Sequence, residues 1–140
     1  MNKALFNQVH ALAEALMQAA EQEDIAQFHS NYDKLESLCI DNENSKKDHP
    51  MQWEALADFT EEFEDAIEIY EKALAMATDN REFDYQASIL FSMARVYVEI
   101  KKTESAQSAA ERALEAAKKA QDTELAAEIN DWLKEYQFYS

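Results

Sequence analysis

The sequence predicts an all-α fold of about seven helices, arranged as three antiparallel helical hairpins and a closing helix. Three observations carry this. The 140 residues include no glycine and a single proline, Pro50, whereas tight β-hairpin turns require residues at positive φ, chiefly glycine or asparagine. Apolar residues recur at three- and four-residue spacing along most of the chain, the period of a helix with one buried face. One helix-length segment also returns at an offset of 40 residues, AIEIYEKALAMA at 66–77 and AQSAAERALEAA at 106–117. A period in this range signals stacked helical units, each of which buries its face only against its neighbours.

The first helix is expected over 3–21, on the stripe Leu5, Val9, Leu12, Leu16 and Ala19. The polar run 21–24 makes a turn, with Asp24 capping a second helix over 25–40 whose stripe is Ile25, Phe28, Tyr32, Leu35, Leu38 and Cys39. Residues 41–49, DNENSKKDH, form the clearest loop. Pro50 then suits a first helical turn, where its missing N–H would be unpaired anyway, with Asp48 or His49 as the cap. The register Trp53, Leu56, Thr60, Phe63, Ile67, Tyr70, Leu74 and Ala77 runs through 50–78, which reads as one long helix or as two with a break near 59–62. The repeat favours two.

The turn 78–82 leads to a helix over 83–101 carrying Tyr85, Ile89, Leu90, Met93, Ala94, Tyr97 and Ile100. Thr103 is expected to cap a helix over 104–120 whose buried face is Ala106, Ala109, Ala110, Ala113, Leu114 and Ala117, small residues that let a neighbour approach closely. Asp122 and Thr123 open a last helix over 123–137, with Leu125, Ile129, Trp132 and Tyr136 as its stripe. A single domain over 1–140, with hairpins at about 3–40, 50–78 and 83–120, is the expectation.

Composition narrows function. Without glycine there is no loop through which a backbone could cradle phosphate, which removes Walker and Rossmann sites. The net charge is −16, and residues 1–71 hold 17 acids against 4 lysines. Such a chain repels nucleic-acid backbones and anionic membranes, so neither is an expected partner. One cysteine, Cys39, allows no internal disulfide, and the N-terminal stretch is too polar for a signal-peptide core, so a soluble cytoplasmic protein is expected.

His10, His29, His49 and Cys39 show no zinc spacing, and 41–52 lacks the glycine and closing glutamate of a calcium loop. No metal, cofactor or catalytic residue is expected, and no nucleophile–base pair is visible. The carboxylates Glu54, Asp58, Glu61, Glu62, Glu64 and Asp65 form a run without a base, either a solvated face or a docking patch for a basic partner.

Residues 87–120 resemble a tetratricopeptide repeat (TPR). Leu90, Met93, Ala94 and Tyr97 fall on the pattern of its first helix, and Ala106, Ala110 and Ala113 on that of its second. FEDAIEIYEKALAMA at 63–77 resembles another second helix, while 3–40 matches only in spacing. The chain departs from the pattern where glycines are replaced by Ala94 and Lys101, and where the proline after the second helix is missing.

The resemblance implies a TPR-like right-handed superhelix with a C-terminal capping helix, and a non-catalytic adaptor, chaperone-like or regulatory module that binds another protein or peptide in a concave groove. Mapped onto this chain, the groove side of the first helix carries Ser88, Phe91, Arg95, Val98 and Glu99. These do not match the Lys and Asn clamp that some members use for acidic C-terminal peptides. Phe91 is either a grip in that groove or core. The alternative is a regulatory or sensor bundle holding a small ligand in a closed pocket near Trp53, Phe63 and Tyr85. The aromatic tail WLKEYQFY at 132–139, with Phe138 and Tyr139, is a candidate homodimer surface.

Overall fold

The structure is a computed structural model that describes residues 2–136. Among those residues it consists of seven α-helices: α1 (Lys3–Glu21), α2 (Ile25–Asn42), α3 (Pro50–Asp58), α4 (Phe63–Asp79), α5 (Phe83–Glu99), α6 (Thr103–Lys119) and α7 (Thr123–Glu135). No strand occurs among them. The 50–78 segment is two helices, broken over 59–62. The α3–α4 break costs α4 a side-chain cap, because Glu62 at its N-cap makes no such bond. Thr60 instead donates from its hydroxyl to the Leu56 carbonyl at 2.7 Å and meets the Tyr32 hydroxyl at 2.8 Å, tying the break to α2.

Each hairpin packs on itself, α1 on α2, α3 on α4 and α5 on α6, and the units join through α2–α3, α4–α5 and α6–α7. The odd-numbered helices also touch across units, α1 on α3 and α3 on α5. The odd-numbered helices therefore line one side of the stack. A continuous core runs through all units, from Leu16 and Leu35 through Leu56 and Ile89 to Ile129, each fully buried. The most extensive helix contact joins α5 to α6. Six alanines of α6 are buried there, which lets the two backbones approach closely.

Four of the turns are the same device. Glu23, Arg81, Lys101 and Gln121 follow α1, α4, α5 and α6 and sit at φ between 55° and 61°. After α5, Lys101 N–H donates to the Val98 carbonyl at 3.0 Å and Lys102 N–H to the Tyr97 carbonyl at 2.9 Å. This is the Schellman pair that closes a helix through a left-handed residue. A side chain in that region clashes with its own backbone, by about 1–2 kcal/mol, and glycine avoids the clash. The glycine-free chain bears this strain at all four turns. Lys101→Gly is therefore expected to stabilise the protein by about 0.5–1 kcal/mol, the lost strain being partly offset by a more flexible unfolded chain. Urea midpoints for the two proteins check this.

Caps follow the sequence in part. Asp24 accepts from Gln27 N–H at 3.1 Å and Asp122 from Leu125 N–H at 3.0 Å. His49 caps α3, its Nδ1 accepting from Met51 N–H at 3.1 Å. Its Nε2 therefore carries the proton and donates to Glu82 at 3.0 Å, which joins the loop to the α4–α5 turn. Asp48 is the loop's other anchor, gathering the Trp53 indole N–H at 2.7 Å, the Gln52 amide at 2.5 Å and the Asn44 N–H at 2.8 Å. Thr103 does not cap α6: it is the first helical residue, and Lys102 before it makes no side-chain cap bond. Ile25 is not core either but lies 71% exposed at the start of α2, because the turn ends one residue before it.

Candidate functional site

Part of the odd-helix side is built by α3 and α5, which both pack on α4. Ser88, one helical turn after the start of α5, donates its hydroxyl to Glu54 of α3 at 2.5 Å. One turn further along α3, Asp58 accepts the Tyr70 hydroxyl of α4 at 2.5 Å. The Ser92 hydroxyl also reaches Tyr70, and the Arg95 charge acts on Asp58. The i, i+4 spacing of Glu54 with Asp58, and the steps from Ser88 to Ser92 to Arg95, put one polar row on each facing helix. The result is a carboxylate-lined strip with a single guanidinium at one end.

This environment disfavours ionised carboxyls. Burial raises Glu54 from 4.5 to about 7, against the Ser88 hydrogen bond that lowers it, with Asp58 and Asp84 adding repulsion. Asp58 is also raised by the protein mass around it, while Tyr70 and Arg95 pull it down. Its side chain nonetheless keeps surface exposure. Tyr70, desolvated and donating to Asp58, is held well above the usual phenol range.

The expected groove residues fall out unequally. Ser88 and Arg95 face the strip, Val98 is half-buried and Glu99 is exposed. Phe91 is core, 2% exposed, with Trp132 of α7 edge-on at 5.6 Å and the Arg95 guanidinium 4.1 Å over its ring. The closing helix covers it, so it offers a partner no surface, and it serves instead as the platform on which Arg95 lies. The acidic run also divides. Glu54 and Asp58 belong to the strip, whereas Glu61, Glu62, Glu64 and Asp65 are exposed in the α3–α4 connection and first turn of α4, where the helix dipole favours them. Along the sequence the groove residues and the acidic run are separate features, and Tyr70 falls on the apolar stripe. Only packing brings α3 and α5 side by side.

Trp53, Phe63 and Tyr85 each sit in a different setting. Trp53 is bonded to Asp48 and covered by the Lys72 ammonium at 4.0 Å, Phe63 is 44% exposed, and Tyr85 lies edge-on to His49 at 5.0 Å. Cys39 is fully buried, donates to the Gln52 carbonyl at 3.3 Å, and has its thiol pushed up to about 12 by burial. It is therefore no nucleophile at neutral pH. His10 pairs with Glu14, His29 with Glu61 and His49 with Glu82, at three separate places. Among the described residues no helix is long and apolar enough to cross a membrane. Phe138 and Tyr139, the tail suggested as a dimer surface, lie outside the described residues.

Residues 54–119, from α3 to the end of α6, match the family model described as tetratricopeptide repeat. The crystal structure of BtubC (BKLC) from P. vanneervenii is similar in fold, with a TM-score of 0.59 at 20% identity. The alignment covers 91% of this chain and 63% of that one, so this chain spans less than two thirds of that neighbour's length. No curated protein matches the sequence.

Proposed function

The chain is a TPR-like helical repeat protein, and from that premise we propose that it is a non-catalytic protein–protein interaction module whose partner, a peptide or helix, lies in the groove along α3 and α5. Tetratricopeptide repeats are generally protein-interaction elements, and helical repeat arrays offer extended concave surfaces for this purpose. The observation that carries the reading is the convergence of Glu54, Asp58, Ser88 and Arg95 on one strip. Its mixed charge suits an extended segment in which a basic side chain meets the two carboxylates and an acidic or amide group meets Arg95. The guanidinium, held over the Phe91 ring, is pre-oriented, so little ordering is needed on binding.

Affinity capture from the native cytoplasm, run with the wild type and with Arg95→Ala in parallel, tests this. Arg95 is exposed but lies over Phe91, so the variant is expected to stay folded and to lose no more than about 1 kcal/mol of stability. It is expected to bind a captured partner about tenfold or more weakly, the loss typical of one central charged contact. A partner retained at full affinity by both Arg95→Ala and a Glu54→Gln, Asp58→Asn double variant would place the binding surface elsewhere.

A further inference from the structure

The first hairpin and α7 differ in their exposed apolar surface. On α7 the exposed residues include Glu124, Glu128, Asp131 and Glu135. The first hairpin is polar over much of its surface but also exposes apolar side chains. Among the described residues, four of the six exposed large apolar side chains, Phe6, Met17, Ile25 and Ile40, belong to α1 and α2.

At the turn of that hairpin the surface folds inward into a cleft of about 430 Å³. Ala19 and Ala20 of α1 leave the room, while Ile25 and Phe28 of α2 supply apolar walls. Phe28 is held in place edge-on to Phe59 at 6.4 Å. The rim is acidic: Glu23 and Asp24 on one side and Glu61 on the other. His29 spans the mouth to Glu61 at 3.5 Å, and no lysine or arginine lines the cleft.

We propose that this cleft is a second docking site, distinct from the α3–α5 groove, and that it takes a basic amphipathic segment of another protein. A large apolar side chain of that segment would seat between Ile25 and Phe28, with flanking lysine or arginine side chains meeting Glu23, Asp24 and Glu61. The charge pattern selects this occupant over a second copy of the chain. Residues 1–71 carry 17 acids against 4 lysines. Two copies meeting at this end would oppose like charges, a juxtaposition that interfaces avoid. A basic segment is instead steered in by the same field.

Selection of short peptides from a random displayed library, with the intact protein as bait, tests the proposal. Enriched peptides are expected to combine large apolar residues with an excess of lysine and arginine. Ile25→Lys is expected to weaken their binding by about tenfold or more, while Arg95→Ala leaves it unchanged. Ile25 is 71% exposed, so the variant should melt with the wild type. Failure to enrich any peptide, enrichment of neutral or acidic sequences, or equal binding to Ile25→Lys would overturn the proposal. So would sedimentation of the wild type as a dimer that Ile25→Lys turns into a monomer. Binding lost in Arg95→Ala but kept in Ile25→Lys would support the groove and count against the cleft.

Discussion

Glu54→Gln is expected to be more stable than the wild type at pH 8 and to lose that advantage by pH 5. The Glu54 carboxyl is raised from 4.5 to about 7, with burial as the main cause. A raised acid binds its proton more tightly in the folded state than in the unfolded one. Its contribution to stability is therefore fully present below about 4.5, declines as the pH rises through the interval, and is gone above about 7. At pH 8 the folded protein holds an ionised, poorly hydrated carboxylate beside Asp58 and Asp84. The neutral amide removes that burden and still accepts the Ser88 hydroxyl. A rise from 4.5 to about 7 corresponds to roughly 3 kcal/mol as an upper bound, and the partial exposure of Glu54 reduces it to about 1–3 kcal/mol. Urea denaturation of both proteins at pH 5, 6.5 and 8 reads the difference directly. Because the other 28 acids are common to both, their general relief of repulsion at low pH cancels. A gap that stays constant with pH would mean that Glu54 titrates like an exposed glutamate. The same titration bears on function, since a basic partner side chain would pull Glu54 back toward its ionised form.

The second large effect lies in the α5–α6 seam. Ala110→Leu is expected to destabilise the protein by about 2–3 kcal/mol, whereas Ser108→Leu, two residues away, is expected to change stability by no more than about 0.5 kcal/mol. Leucine is almost as good a helix former as alanine, so propensity predicts little change at either position. Packing makes the difference. Ala110 is fully buried, in a row with Ala106, Ala113 and Ala117, against α5 where Ala87 and Ala94 are equally closed. Three added carbons have no void to enter and must push the helices apart. Ser108 faces solvent on the same helix. Paired denaturant midpoints decide the matter, and a loss at Ala110 as small as that expected at Ser108 would show that the seam is looser than it looks.

Much of the fold was legible because it depends on local chemistry. The 3.6-residue stripes set seven helices, the turn residues Asp24 and Asp122 started two of them, and the echo of EKAL in ERAL set the repeat. Even the α3–α4 break could be placed, although no side-chain cap marks it. Lys101, where the repeat pattern has glycine, lies in the left-handed turn that explains the preference. Less of the site was legible. Apolar periodicity assigned Ile25 and Phe63 to the core, yet they lie at the first turns of α2 and α4, where the chain entering the helix leaves that face open. Phe91 shared the groove-side spacing of Ser88 and Arg95, but coverage by α7 depends on a residue forty-one positions along, Trp132.

The sequence by itself determined the helices, their pairing into hairpins and the small-residue seam, since these follow from spacing and side-chain size within one segment. Tertiary structure alone decided which carboxylates share a strip, that Tyr70 bonds to Asp58 and Ser88 to Glu54, and that the first hairpin carries an apolar cleft lined by acids. Those outcomes depend on how far one helix stands from the next and on which charges lose water together. Neither quantity is encoded within a single helix's period.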